Sequence, residues 1–572
     1  MVRLTAVVFL AALVGIAGGV LTVRSPDAPP RVAALAAPAA ATAEAALEPA
    51  LRPVGLPAAG GLAPETTRSA AIRTPVPQEG VAGAVAVAGY IPPAGVAGAP
   101  AAAPAAAPAT SPAEFGARRD LAGGVTFAIE SSEPTPAAPS GDYSVAPADP
   151  GPPLQIADVH LTSLTPYAAT IAWTTSEGAS GRVAYGLDAP VLWSAADAPR
   201  TEHQAQLTSL EPGKEYHLAV ESGSADGRAA TSDFVLTTPP RAAGPFAGSV
   251  AGGALLVDGH PFFPTIVWAQ CSDGYGGNLD VGINVFMGNG CGDATQQLAR
   301  LGDRALSVGA LDDAAQGLVG RYLPDEWDTH LPNDFSLADV RRVTGRAAGP
   351  EPTFLTLTNH FYSLAEPLPQ GRGMYPALAA GADVLGFDLY PLQNWCRLDS
   401  FGDVFDAQRQ LVELAAGKPT FQWIEARRMD CTNPALDPTP ETLRAEVWLS
   451  VAAGAHGVGY FPNNWSADVG DAIARVDHEL DALAPALLAP PAAASADGPV
   501  RVGARVRNGA VYVIAVNPKR AAATATIRVP AVGDRTLAAI DGSRTVDAKE
   551  GSFTDSFAPL EVHVYVVRPD LS

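Results

Sequence analysis

Two glutamates in this chain sit where proton transfer and nucleophilic attack would be divided between them. Glu326 lies in Tyr322-Leu323-Pro324-Asp325-Glu326-Trp327-Asp328, and Glu425 lies 99 residues later in Gln422-Trp423-Ile424-Glu425-Ala426. Each follows a short, apolar, β-rich run. Two carboxyls of different acidity suit the cleavage of an acetal such as a glycosidic bond: one protonates the leaving oxygen, the other supplies electrons to the anomeric carbon. Tyr322, Trp327 and Asp325 would hold Glu326 protonated, and Glu425 beside Trp423 would be the ionised nucleophile. The bland alternative is two ordinary loop carboxylates. Facing carboxyls about 5 to 5.5 Å apart imply retention and about 6.5 to 9.5 Å inversion; the shorter gap is expected here. The adjacent Asp325-Glu326 also suits a substrate-assisted route on N-acetylhexosamines, in which Asp325 orients the acetamido group and Glu326 is the acid.

Residues 245–490 must position these groups. Short apolar runs at Phe262–Trp268, Ile283–Met287, Ala305–Ala310, Gly317–Tyr322, Thr353–Thr358, Val384–Asp388, Pro419–Trp423 and Gly457–Phe461 read as buried parallel strands. Helical patterns separate most of them, as at Ala294–Leu301, Leu337–Arg346, Val404–Ala416 and Glu441–Ala453. The segment is close to the length of about 250 residues typical of a (β/α)8 TIM barrel, whose chemistry belongs at the C-terminal strand ends. Strands four and seven lie across the mouth from each other, so Glu326 and Glu425 would face one substrate. The link Leu311 to Gln316 is too short for a helix: either that unit is degenerate or a strand is misplaced.

This order resembles the clan of retaining glycoside hydrolases with (β/α)8 barrels. In that clan an acid/base Glu follows strand four and a nucleophilic Glu follows strand seven. Val257-Asp258-Gly259-His260-Pro261-Phe262-Phe263-Pro264 looks like the first strand of many such enzymes. Ala382-Asp383-Val384-Leu385-Gly386-Phe387-Asp388-Leu389-Tyr390-Pro391 looks like strand six, and Gly454-Ala455-His456-Gly457-Val458-Gly459-Tyr460-Phe461 like strand eight. One departure is Asp325, where the clan usually has an Asn that bonds the sugar 2-hydroxyl. The resemblance implies a carbohydrate substrate, catalytic Glu326 and Glu425, and no cofactor.

Five tryptophans (Trp268, Trp327, Trp395, Trp423, Trp465) fall at or just past expected strand ends, where flat aromatic faces would cover sugar C–H faces. Asp388, Tyr390, His360 and Asn464 are candidate hydroxyl-binding groups. Core packing is the alternative for any single tryptophan, and a loop contact for His360.

Four cysteines, Cys271, Cys291, Cys396 and Cys431, include no Cys-x-x-Cys pair, which disfavours a zinc ribbon or thioredoxin-like site. An even count in an exported chain favours disulfides, and three pairings exist. Cys271–Cys291 and Cys396–Cys431 are expected, since each would tie neighbouring barrel loops. Free buried thiols are the alternative.

The flanks read differently. Residues 152–240 alternate short β runs with turns. Trp173 in an early strand and Leu210-x-Pro212-x-x-x-Tyr216 resemble the fibronectin type III pattern, with Trp173 a core residue and Tyr216 a corner tyrosine bonding back to backbone. Residues 491–572 return to β pattern and look like the small β-sandwich that follows many glycosidase barrels. At the N-terminus, Leu4 to Val23 is an uncharged run behind Arg3. Residues 1–24 therefore read as a secretory signal or a retained membrane anchor, either of which exports the chain. Residues 25–151 are rich in Ala, Pro and Gly and read as a disordered spacer.

Lys+Arg is 37 against Asp+Glu 59, a net charge of −22, which disfavours nucleic-acid backbones as partners. The chain has no His-Glu-x-x-His, Gly-x-Ser-x-Gly, Gly-x-x-x-x-Gly-Lys or Gly-x-Gly-x-x-Gly, so metal, serine-esterase and nucleotide chemistries lack support. The expectation is an extracellular or surface-anchored glycoside hydrolase. Its rival is a non-catalytic glycan-binding or wall-attachment protein on the same barrel.

Overall fold

The computed structural model describes residues 51–53 and 152–571. The expected signal or anchor, and the spacer apart from 51–53, lie outside them. The described residues belong to one compact unit, Met1–Gly55 with Gly151–Ser572.

Strand β1 (Leu51–Pro53) falls within the segment read as spacer and pairs antiparallel with β7 (Ala229–Thr237). Between them in sequence are β2 (Ile156–Leu164), β3 (Ala168–Gly186), β4 (Leu192–Trp193), β5 (Arg200–Thr208) and β6 (Glu215–Gly223). The long β3 serves two sheets. Its first half pairs with β2 and β5, its second half with β6 and β4. The faces between them are lined by Ile171, Trp173, Val183, Tyr185, Leu207 and Val220, each almost wholly buried. The Trp173 indole N–H donates to Ser222 Oγ at 3.0 Å. The Tyr216 hydroxyl accepts the Glu211 backbone N–H at 2.8 Å, pinning the preceding loop.

A meander of β8 (Gly248–Ala251), β9 (Ala254–Val257) and β10 (His260–Pro261) follows. Here the structure corrects the expected first barrel strand. Asp258-Gly259 has positive φ at both residues (51° and 84°), the two-residue turn that closes a hairpin. Val257 and His260-Pro261 are therefore hairpin arms.

The barrel is closed by eight parallel strands: β11 (Thr265–Trp268), β12 (Val285–Met287), β13 (Leu306–Ala310), β14 (Gly320–Tyr322), β15 (Thr353–Thr358), β16 (Val384–Asp388), β17 (Thr420–Glu425) and β18 (Val458–Phe461). The circle completes where β18 pairs with β11. Ile266, Val285, Met287, Val308, Phe354, Phe421 and Trp423 belong to the apolar cluster that fills it. Helices α1 (Tyr275–Asp280), α2 (Ala294–Leu301), α3 (Leu337–Thr344), α4 (Tyr375–Gly381), α5 (Phe401–Ala415), α6 (Pro440–Ala453) and α7 (Ala467–Leu487) surround it.

The β13–β14 link has no helix, which resolves the short connection as a degenerate unit. The buried Arg321 guanidinium takes the helix's place as a staple. Its Nη1 donates to the carbonyls of Ala310, Leu311 and Asp313, and its Nε pairs with Glu351 at 2.8 Å.

After the barrel come β19 (Pro491–Ala492), β20 (Ser495–Ala496), β21 (Arg501–Arg507), β22 (Ala510–Val516), β23 (Ala523–Arg528), β24 (Thr536–Ala539), β25 (Thr545–Asp547), β26 (Ser552–Phe557) and β27 (Val562–Val567). They form a six-stranded and a three-stranded sheet, with Val502, Val513, Ile527, Phe553 and Tyr565 in one core. Among the described residues no helix is long and apolar enough to cross a membrane.

Candidate functional site

The C-terminal ends of the barrel strands carry a cluster of acids. Glu326 stands just past β14 with backbone in the left-handed region (φ 45°, ψ 41°), a conformation that costs a non-glycine residue on the order of 1 kcal/mol or more. Its neighbours hold it there. The Glu326 carbonyl accepts the Thr329 backbone N–H at 3.0 Å and the Thr329 hydroxyl at 2.8 Å. Two residues on, the buried Asp328 carboxylate accepts the Thr358 N–H and hydroxyl and the Tyr375 hydroxyl. This lashes the loop to β15, and burial pushes Asp328 above the usual carboxylate range.

The carboxyl that meets Glu326 is Asp388, at the end of β16. Burial first, then the charge of Glu326 and a hydrogen bond to it, push Asp388 well above its ordinary value. Asp388 is therefore held towards its protonated form, since a buried carboxyl beside another acid resists ionisation. Asp325, exposed on the rim, is pushed up to about 6 by desolvation among its neighbours and by the Glu326 charge. Tyr390 stacks on Phe461 with ring centroids 6.1 Å apart. Burial, then the charges of Asp388, Glu326, Asp325 and Glu425, raise its phenol well above its ordinary value. One phenol is thus within electrostatic reach of all four acids.

Glu425 differs from its expected setting. It ends β17 and is 0 % exposed. Its Oε1 accepts the Leu392 N–H at 2.9 Å and its Oε2 the Gln393 N–H at 2.8 Å. Burial pushes it up to about 7, against the pull of the two amides and of Glu446. The structure therefore sets Glu425 into the barrel wall, where it clamps the loop after β16. An ionised carboxylate open to the mouth was expected, and it is Asp388 that Glu326 engages. The cause is the path of that loop, which folds Leu392 and Gln393 back over the end of β17.

The aromatic residues separate into two groups. Trp268 is half-buried at the mouth, edge-on to Tyr322 at 5.1 Å and to Trp423 at 6.3 Å. Trp423 itself is 4 % exposed, and its indole N–H donates to Thr356 Oγ1 at 3.2 Å, so it is part of the barrel filling. Trp327 is 7 % exposed and packs on Phe335 in the outer core. Trp465 packs edge-on to Tyr460, whose hydroxyl bonds Asp477 on α7. Trp395 stacks on Tyr362. Of the five tryptophans, Trp268 has the setting expected of a sugar platform; the others are engaged by core or loop partners.

His360 bonds the Glu366 carbonyl through Nδ1 at 2.6 Å, a local loop contact. Asn464 is exposed, whereas its neighbour Asn463 donates to the Trp268 carbonyl at 2.9 Å and fixes the mouth between β18 and β11. Both disulfides serve the same rim. Cys271–Cys291 joins the loops after β11 and β12, and Cys396–Cys431 joins those after β16 and β17. Two recesses, of about 720 Å³ between the N-terminal sheets and the barrel's far end and about 650 Å³ beside α5 and β21, lie away from this cluster.

Sequence reasoning missed Asp328 and Glu446. Glu446 carried a signal: it is an acid inside the otherwise apolar run Ala445 to Leu449 of α6, apart from it unbroken by charge.

No family model matches this chain, and no curated protein matches it. Solved structures give loose overlaps. A GH30 endoxylanase from Clostridium papyrosolvens is 13% identical over 54% of this chain and 96% of that one, with a TM-score of 0.35. A family 30 subfamily 8 xylanase from Clostridium acetobutylicum is 10% identical over 53% and 95%, TM-score 0.31. An α-amylase from Geobacillus thermoleovorans, complexed with acarbose, is 13% identical over 44% and 60%, TM-score 0.31. Overlaps this loose carry no argument about the reaction.

Proposed function

We propose that the barrel is a glycoside hydrolase whose proton is handled by Glu326 and Asp388. The observation that carries this reading is the placing of acids at the C-terminal strand ends, Glu326 just past β14 and Asp388 at the end of β16, with the half-buried Trp268 at the end of β11. In the reaction, Glu326 gives a proton to the glycosidic oxygen, the carbon–oxygen bonding pair leaves with that oxygen, and Asp388 re-supplies Glu326. The same pair then takes a proton from the water that completes hydrolysis. Trp268 would cover an apolar sugar face, and Asp325 and Tyr390 would contact hydroxyls.

For the electrons at the anomeric carbon, the reading is double displacement with Glu425 as nucleophile. It is supported by the position of Glu425 at the C-terminal end of β17, the strand paired with the β16 that ends in Asp388. The complete burial of Glu425 favours a second reading: attack by the acetamido oxygen of an N-acetylhexosamine, which needs no protein nucleophile. Assays on paired aryl glycosides and aryl 2-acetamido glycosides separate the two. Double displacement predicts that Glu425→Gln abolishes turnover on both and that 2-fluoro glycosides label Glu425. The substrate-assisted route predicts activity confined to the acetamido series and retained by that variant. Retention of both activities in Glu326→Gln would remove Glu326 from the reaction, and activity on neither series in the wild type would leave only a glycan-binding barrel.

The same reading extends to the flanks. Residues 152–240 are a fibronectin type III-like module, supported by the corner bond of Tyr216 and the buried Trp173. Residues 491–572 are a supporting β-sandwich. The two disulfides accord with an exported protein acting on extracellular carbohydrate.

A further inference from the structure

Behind Glu425 lies a second acid that the reaction described above does not use. Glu446 sits on α6, is 1 % exposed, and neither of its carboxyl oxygens has a hydrogen-bond donor. A buried carboxylate in that state would be an uncompensated charge in an apolar wall, among the most costly arrangements a fold can hold. Helix α6 packs against β17, and the carboxyl whose charge bears on Glu446 is that of Glu425, whose oxygens already accept the Leu392 and Gln393 amides. A carboxylate already supplied by two amides can still accept a hydrogen bond from the O–H of a neutral acid. Both facts are then satisfied at once: Glu446 finds a partner for its O–H, and Glu425 gains a third donor.

We propose that Glu446 and Glu425 form a one-proton carboxyl pair in the barrel wall, with Glu446 as the permanently neutral donor that sets where Glu425 titrates and holds it in place. Glu446 is a positioning residue. It acts through Glu425 on the loop after β16, which carries Tyr390 and directly follows Asp388. Burial, and then the charge of Glu425, keep Glu446 well above its ordinary value, in agreement with this geometry.

The other charged or titratable groups around α6 are engaged elsewhere. Arg444 pairs with Glu479 of α7, which also accepts the Trp448 indole N–H. Arg505 of β21 donates to the carbonyls of Leu487, Ala504 and Val451. His456, ahead of β18, is held down to about 4 by burial and by Arg505. Tyr390, on the loop after β16, responds to Glu425. No cation among these neutralises the pair.

This inference rests on the glycosidase reading only for its effect on turnover; the pair itself is tested without substrate. Isotope-edited infrared spectroscopy of the full chain, with Glu labelled, reads protonated carboxyl bands against pH. The wild type is expected to keep one buried Glu band well above pH 7, and Glu446→Gln to lose it. Glu446→Gln retains a donor, so Glu425 should titrate where it does in the wild type. Glu446→Leu removes the donor and should raise the Glu425 titration by about one unit, a tenfold change in proton affinity. A purely structural Glu446 would destabilise both variants and move neither titration. A wild-type band that disappears near pH 5 overturns the proposal, as does a Glu446→Leu variant whose Glu425 titrates unchanged. If Glu446→Leu proves unstable, the band in the wild type and in Glu446→Gln decides alone. With substrate, the acid limb of the pH–rate profile should follow the Glu425 shift. An infrared shift without any turnover would leave the pair standing and remove the glycosidase reading.

Discussion

Acids at the mouth and in the wall of the barrel and acids in the flanking sheets are treated in opposite ways. Asp388, Glu425 and Glu446 are raised, in each case chiefly by burial, and none pairs with Arg or Lys among the described residues. The flanks neutralise their acids with cations instead. Glu221, deep in the N-terminal sheets, takes Arg182 Nε at 2.7 Å and a second bond from Arg568 near the chain's C-terminus. Asp555 sits among His563, Tyr565 and Arg544; burial works against its charge, but these bonds and charges hold it below the usual range. A buried acid given a cation stays charged and stiffens a scaffold. One left among its own kind keeps a proton, and a retained proton is what acid catalysis needs.

This contrast can be broken or sharpened experimentally. The largest effect is expected at the mouth. Glu326→Gln and Asp388→Asn should each lower kcat/KM by about 10³-fold, within the range for lost general acid–base catalysis, with unchanged urea midpoints at pH 7. Equal losses from substitutions in the flanks would erase the distinction. Conversely, Arg182→Ala combined with Arg568→Ala strands a buried Glu221 and should cost about 3 to 5 kcal/mol in chemical denaturation, with kcat unaltered in the folded fraction.

Next in size are the rim disulfides. Removing Cys271–Cys291 or Cys396–Cys431, whose partners are 20 and 35 residues apart, should cost about 3 kcal/mol each by loop entropy. Because both close mouth loops, turnover should fall along with stability, unlike in the double arginine variant.

The signs of the pH dependence should also oppose. Asp477, on α7, is raised well above its ordinary value, by burial first. The folded state therefore binds a proton the unfolded state releases, and its contribution is complete below about pH 3.9 and lost as pH rises towards the folded value. Asp477→Asn should flatten that decline, measured as urea midpoints from pH 5 to 8. Asp555 is lowered, so its contribution is present above about pH 3.9 and lost as pH falls through its folded value. Asp555→Asn should flatten the acid limb alone. The smallest effect is that of Tyr216→Phe, about 1 kcal/mol for one lost hydrogen bond to the Glu211 amide, with no change in catalysis.

The barrel strands were legible because fully buried parallel strands need continuous short apolar runs, and the spacing between those runs left room for helices. The cysteine partners followed from the same layout, since loops after adjacent strands are neighbours. Arg321 was not legible as the staple of the β13–β14 link; a buried arginine in a strand has no periodic signature. Trp327, Trp423 and Trp465 looked like rim residues because each adjoins a strand end. A shift of one position along a strand turns a side chain from the mouth to the wall, and the sequence alone does not fix that register.

By itself the sequence determined that eight short strands close a barrel, that two patterned β regions flank it, and that its strand ends are rich in acids and aromatics. Those facts follow from local composition and period. Tertiary structure alone decided which acid meets which. Glu326 is held in a left-handed turn just past β14 while Asp388 ends β16, and Glu425 is fixed in the wall by two amides that a loop from another strand lays over it. Contacts between loops far apart in the chain depend on strand stagger and loop path, and no neighbouring residue encodes either.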